Sequence, residues 1–167
     1  LIAKADWFTT IAEPKPLHDA GTPANEGTTF AELATVNGSH VFKAGYGFMT
    51  LQGVQETTDL ESTGIGNKKN RLFENKTNVV VAGSTAEQLG LSRWIKNDDL
   101  IVLIQEVGEG VYRQLGSDRF AASVTEFVGK VEATQEGGNT RTITISDKQP
   151  YEAPIYSGTP DLMPAQV

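Results

Sequence analysis

The feature that most constrains the fold is the block 77–156, in which one helix pattern stands among several β-strand patterns. Three valines at 79–81 form a continuous β-branched run, which predicts a strand buried on both faces. Residues 100–107 are again nearly all apolar, and threonine alternates with isoleucine along 140–145, as in a half-buried strand. The block therefore predicts several paired strands and short turns.

The helix within this block is predicted over about 84–96. Ser84 and Glu87 stand at the spacing of a capping box, in which each side chain binds the backbone amide of the other residue. Leu91 and Ile95 are four residues apart and share one face of that helix. The chain as a whole, with 167 residues and 17 glycines, suits one turn-rich, β-rich domain spanning 1–167.

The flanking segments carry weaker patterns. Prolines and glycines punctuate 12–27, which predicts a loop-rich segment. Residues 40–54 are strand-like, with glycines that indicate a bend or a bulge. Residues 158–167 are expected to form an extended, detachable C-terminal tail.

Residues 55–76 form a long polar stretch, which is unusual inside a compact domain. Structureless loops of this length are uncommon, so we expect a protruding hairpin or loop whose tip lies near 64–67. An isolated two-stranded arm is marginal and needs a neighbour to pack against. The apolar residues that a neighbouring subunit could cover are Leu60, Ile65, Leu72 and Phe73.

The same arm carries a basic cluster, and this completes the predicted subunit interface. Lys68, Lys69 and Arg71 could meet an acidic surface on a neighbouring copy as rim residues that set the register. Trp7 is a further candidate anchor at the interface, although a core position explains it equally well.

Composition excludes several classes of function. A net charge of −7 argues against binding to nucleic acid phosphates, and the absence of cysteine removes disulfides and thiolate chemistry. No apolar run approaches the roughly 20 residues of a membrane span, and no signal peptide is expected at the N-terminus.

The sequence shows no cluster of catalytic or metal-binding residues. His18 and His40 are the only histidines, and neither has carboxylates nearby at ligand spacing. The carboxylates Asp98, Glu106 and Glu109 stand at a helix end, near a strand end and in a turn, where solvated charge is normal. We therefore expect a non-enzymatic protein with no catalytic residues, no metal and no cofactor.

Three stretches of the 79–156 region resemble the phage major tail proteins, which are the subunits of the tail tube. They are the helix STAEQLGLSRWI, the strand LIVLIQEV followed by VYRQLGSDRFAA, and the late stretch ITISDKQPYEAPIYSG. The resemblance covers about half of the chain and lies in the pattern of elements. It implies a β-sandwich or partly closed barrel with one flanking α-helix.

The resemblance also implies a function in the virion. Subunits of that family form rings, often hexameric, which stack into a tube. The inner strands of such a tube line a lumen through which DNA passes as non-specific cargo. The partners implied are copies of the chain itself and other virion proteins, and an arm at 55–76 would reach an adjacent subunit.

Two other functions stay open at this stage. The chain could be a capsid-decorating or head–tail joining protein, or a bacterial carbohydrate-binding module. Rings or tubes in the electron microscope would favour the tail tube, whereas a monomer that binds preformed capsids would favour decoration. We predict that deleting 58–73 leaves a soluble fold and stops polymerisation.

Overall fold

The computed structural model describes residues 1–108, 110–133 and 138–163. The strands are β1 (Ile2–Lys4), β2 (Phe8–Thr10), β3 (Val41–Phe42), β4 (Asp59–Asn67), β5 (Asn70–Ala82), β6 (Leu100–Gln105), β7 (Tyr112–Leu115), β8 (Ser123–Lys130), β9 (Thr140–Gln149) and β10 (Ile155–Tyr156). The helices are α1 (Phe30–Ala34) and α2 (Ala86–Ile95), and 3-10 turns lie at Ala5–Trp7 and Pro23–Asn25.

Two four-stranded antiparallel sheets form the body of the fold. Their strand orders are β1-β6-β7-β10 and β4-β5-β9-β8, and β2 pairs with β3 in a small third sheet. Ile2 and Val102 of the first sheet pack with Ile143 and Ile145 of the second in one core cluster. The strand orders are linear, and no sheet closes into a barrel within the described residues. The prediction of a β-sandwich with a flanking helix is therefore confirmed.

The first sheet is buried on both of its faces. Leu100 and Val102 point into the cluster between the two sheets, whereas Ile101 and Leu103 point into a second cluster. That second cluster contains Trp7, Phe8, Ala12, Val36, Phe48 and Tyr156. This burial on both faces explains why the sequence of β6 is apolar without alternation.

The valine run at 79–81 has a different environment from the one expected. Val79 and Val81 are buried in the core, but Val80 is only half-buried, because β5 lies in the sheet whose other face points outward. The prediction of a strand buried on both faces is wrong here, since a β-branched run suits a half-buried strand as well.

The helix α2 is present, but its cap lies one residue later than expected. The Thr85 hydroxyl accepts a hydrogen bond from the Gln88 amide at 3.4 Å, and the Gln88 side chain accepts one from the Thr85 amide at 3.2 Å. The Gln88 side chain also donates to the Ala82 carbonyl at 2.7 Å, which a glutamate cannot do. This extra bond favours the capping box of Thr85 and Gln88 over that of Ser84 and Glu87.

Two other segments differ from their sequence-based predictions. Within 40–54 only Val41–Phe42 is a strand, and Phe48 and Met49 make single β-bridges to Leu162 and Ile2. The described part of the C-terminal tail lies against the body, because the Met163 amide donates to the Phe48 carbonyl at 2.9 Å.

Candidate functional site

The segment predicted as an arm forms a long antiparallel hairpin. Its cross-strand pairs run from Asp59 opposite Asn78 to Asn67 opposite Asn70, so the turn lies at Lys68 and Lys69. The expected tip at 64–67 is wrong, because those residues belong to β4. Gly66 has a φ of +90°, and a Cβ atom there would lie 2.4 Å from the Asn70 carbonyl oxygen. Gly66 therefore allows a close approach of the two strands and does not form the turn.

The end of this hairpin extends beyond the rest of its sheet. The neighbouring strand β9 pairs with β5 only from Phe73, opposite Gln149, to Ala82, opposite Thr140. Residues 65–72, which we call the hairpin tip, therefore have no third strand beside them among the described residues. A two-stranded ribbon of this kind is marginally stable until something packs on it.

The four apolar residues proposed for a subunit interface do not share one face. Cross-strand partners lie on the same face, and the buried residues of β5 are the odd-numbered ones, such as Asn75 and Thr77. By this register Leu60 and Phe73 point to the core side, and Leu60 packs against the core cluster. Ile65 and Leu72 form a directly opposed, half-buried pair on the outer face. A stripe of all four is thus excluded, and Leu60 is a core residue.

The basic residues of the hairpin are exposed and carry uncompensated charge. Lys68, Lys69 and Arg71 make no ion pair with any part of the chain that the structure describes. Such charges are available to an acidic partner, and their solvent-exposed position makes them suited to setting orientation more than affinity.

A buried polar network fixes the root of the hairpin to the body. Asn75, which is fully buried, donates to the Asp147 carboxylate at 2.8 Å and accepts from the Ala153 amide at 3.0 Å and the Ser62 hydroxyl at 2.6 Å. Burial raises the pKa of Asp147, although hydrogen bonds from Gly116, Asn75 and Gln149 oppose this shift. The network ties β4, β5 and β9 together where the tip begins.

The outward face of the β4-β5-β9-β8 sheet is mostly polar, and Val80 and Val128 are the larger apolar residues on it beyond the hairpin tip. Hydroxyl-bearing side chains such as Thr142 and Ser146 lie along its middle. The charged residues that the register places on this face are Asp59, Glu61, Glu74, Glu126, Lys76, Lys130 and Lys148. Four acids and three bases leave it nearly neutral, and its two edge strands, β4 and β8, are open.

A second exposed feature is a groove with an aromatic floor. Trp7 lies between Tyr46 and Trp94, with ring centroids 5.2 Å and 5.1 Å away, respectively. Trp7 is 7% exposed, whereas Tyr46 is 45% and Trp94 is 38% exposed. Leu91, Leu162 and Met163 complete the apolar lining, and Lys4, Asp6 and Glu87 supply charges. We call this the aromatic groove.

Trp7 lies at the aromatic groove, whereas the other predicted interface residues lie on the hairpin. Trp7 contributes to a core cluster, so it supports the groove from below and does not belong to the hairpin surface. The sequence interpretation did not name Tyr46 or Leu162. No local pattern could have found them, since the groove joins segments that are far apart in the chain.

The described residues contain no group of three or more histidines, aspartates or glutamates that could hold a metal ion. His40 is buried against Tyr156, and its Nδ1 atom accepts a hydrogen bond from the Ala12 amide at 3.0 Å. Burial lowers the pKa of His40 to about 4, so its ring is neutral near pH 7. Asp98 and Glu106 are paired with Lys4 and Arg113. Glu109 lies outside the described residues.

Comparisons with known proteins give no family. No protein-family model, no curated protein and no solved structure matches the chain. Within the described residues, no helix has both the length and the apolar character needed to cross a membrane.

Proposed function

We propose that this chain is a non-enzymatic structural subunit that assembles with copies of itself, and that its role is that of a phage tail-tube subunit. The observation that carries the proposal is the hairpin tip. It extends past the sheet with an apolar pair on one face and, around its turn, three basic residues that have no ion pair within the described residues. A partner subunit would cover the apolar pair and offset the charges.

The edges of the outer sheet support the same proposal. Strand β4 forms one edge and β8 the other, so two copies can meet edge to edge through two different strands. A contact between unlike surfaces is heterologous, and repeated contacts of this kind give closed rings or open filaments. Joined edges would continue one sheet from subunit to subunit.

The polar outward face is the surface that we propose for the lumen. DNA moves freely past a surface that does not bind its phosphates, because affinity for the backbone depends on an excess of lysine and arginine. The nearly balanced charges and the hydroxyl groups of Thr142 and Ser146 meet that requirement. DNA would be passing cargo, and the chain would reside in the virion tail.

The test compares the native chain with a variant whose tip is shortened. The earlier idea of deleting 58–73 is too severe, because it removes Leu60 from the core and Ser62 from the buried network. Replacing residues 65–72 by Asn-Gly keeps the register, since it joins Gly64 directly to Phe73 through a two-residue turn. Phe30→Ser, at an exposed side chain of α1, is the matched control.

We expect rings or tubes from the native chain and the control in negative-stain electron microscopy. The shortened variant should keep its urea midpoint and remain monomeric in analytical ultracentrifugation. Tubes from the shortened variant would refute the role of the tip. A native chain that stays monomeric and binds preformed capsids would show a decoration protein instead.

A further inference from the structure

The surface that receives the hairpin tip can be assigned on the basis of the proposed function. From the position and charge of the two features, we infer that the aromatic groove of one copy is the docking site for the hairpin tip of a second copy. The contact would place Ile65 and Leu72 on the aromatic floor, with the basic turn beside Glu87.

The floor of the aromatic groove has the features of an interface anchor. Aromatic side chains held rigidly by their neighbours are the usual anchors of protein interfaces, because they bury a large area at little entropic cost. Trp7 is fixed by contacts to both Tyr46 and Trp94, and Tyr46, Trp94 and Leu162 keep much of their surface exposed. The groove has a volume of about 1080 Å³, which is large enough to hold two aliphatic side chains.

The charges at the aromatic groove are complementary to those of the hairpin tip. The Lys4 ammonium lies 2.8 Å from the Asp98 carboxylate, so its charge is already compensated. The Lys43 ammonium donates to the Asp6 main-chain carbonyl at 2.5 Å, which brings a further positive charge to this side of the groove. Glu87 is exposed at the groove and has no ion pair within the described chain. Lys68, Lys69 and Arg71 are complementary to it.

The geometry of the hairpin excludes docking within one chain. The tip lies at the start of β5, and α2, which forms one wall of the groove, follows the end of β5. β5 has 13 residues. A strand of that length measures about 40 Å. Nine cross-strand pairs hold the hairpin in the sheet, so its tip cannot turn back. The acceptor must belong to a second copy, and the contact is head-to-tail.

A glycan is the other occupant that an aromatic groove can suggest. Sugar rings stack on an open indole face, but the Lys4 ammonium lies over the Trp94 ring at 4.0 Å and Trp7 packs at 5.1 Å. The floor therefore suits aliphatic side chains better than it suits a sugar ring, which stacks on a flat and open aromatic face.

The test uses cross-linking, because the chain contains no cysteine. The double variant Lys69→Cys with Glu87→Cys places one thiol at the turn and one at the groove. A short bismaleimide should convert assembled protein into a ladder of covalent oligomers. Lys69→Cys with Leu89→Cys is the control, since Leu89 is exposed on α2 but does not line the groove.

A charge reversal gives an independent readout. Glu87→Lys and Lys69→Glu should each raise the critical concentration for assembly about fivefold, as for a rim ion pair, and the two together should restore it. An equal ladder from the Leu89→Cys control, or no rescue by the double reversal, would overturn the inference. So would calorimetric binding of cellohexaose or maltohexaose without any ladder.

The outcomes separate this inference from the proposed function. If the shortened tip abolishes assembly while the ladder and the rescue are absent, the chain still assembles through its tip and the acceptor is another surface. If the native chain does not assemble at all, the proposed function itself fails.

Discussion

Replacing Asn75 with alanine tests whether the buried network holds the root of the hairpin. The Asn75 side chain is fully buried and bridges four groups: the Asp147 carboxylate, the Ala153 amide, the Ser62 hydroxyl and, at 3.4 Å, the Tyr151 carbonyl. In the variant, the Asp147 oxygen and the Ala153 amide lose their partner inside the protein. The half-buried Ser62 can turn towards water.

The expected loss follows from those two orphaned groups. Each buried polar group left without a partner costs about 1–3 kcal/mol, so we expect the free energy of unfolding to fall by roughly 4 kcal/mol. With a urea dependence of about 2 kcal/mol per molar, the midpoint should fall by about 2 M. Circular dichroism along a urea titration measures this midpoint.

Asn78→Ala is the matched control for this experiment. Asn78 also sits in β5, but it points to the outward face, where it binds the Asp59 carboxylate and accepts from Thr144. Water can reach the exposed Asp59 carboxylate, so only the buried Thr144 hydroxyl is left without its partner and the loss should be about 1–2 kcal/mol. A loss of stability in Asn75→Ala no larger than that in Asn78→Ala would contradict the role given to the buried network.

Three further predictions concern the body of the fold. The pKa of His40 falls from 6.5 to about 4 on folding, so the unfolded chain takes up a proton at this residue before the folded chain does. The stability that neutral His40 contributes is therefore complete above pH 6.5, and the free energy of unfolding falls by about 3 kcal/mol by pH 4. Urea midpoints at pH 7 and pH 4.5 should therefore differ less in His40→Gln than in the native chain. Gly116→Ala should lower the thermal midpoint strongly in calorimetry, because residue 116 has a φ of +87° and a Cβ atom there would lie 2.6 Å from the Leu100 carbonyl oxygen. Thr85→Ala should cost about 1 kcal/mol in chemical denaturation and Ser84→Ala only a few tenths, since Thr85 is the cap; equal losses would contradict that assignment.

The helix α2 shows how much of a structural element local sequence can predict. Its position follows from the spacing of its apolar residues, but the capping pattern occurs twice in succession, at Ser84 with Glu87 and at Thr85 with Gln88. Only the bond from Gln88 to Ala82, across the turn from the preceding strand, distinguishes them. That contact depends on how the chain leaves β5.

Two similar apolar runs show what local sequence cannot predict. Residues 79–81 and 100–103 both read as continuous buried strand, yet only the second lies in a sheet covered on both faces. Which sheet becomes the middle layer depends on the N-terminal segments that pack over it, and no periodicity within either run records this.

The candidate site was likewise predictable from the sequence only in part. The length and polarity of 55–76 predict a hairpin, but the faces of Ile65 and Leu72 follow only from the register with β5. The aromatic groove needs Trp7, Tyr46 and Trp94 to meet across long separations in the chain. Such a meeting is a property of the whole fold.

The contact between Trp7 and Trp94 has a practical consequence. These are the only two tryptophans of the chain, and both lie at the aromatic groove. Its intrinsic tryptophan emission therefore reports on one place, without any attached dye. A ligand or a neighbouring subunit that enters the groove would change the wavelength and the quenching of that emission. Stopped-flow fluorescence of the unmodified protein can thus time the arrival of a partner.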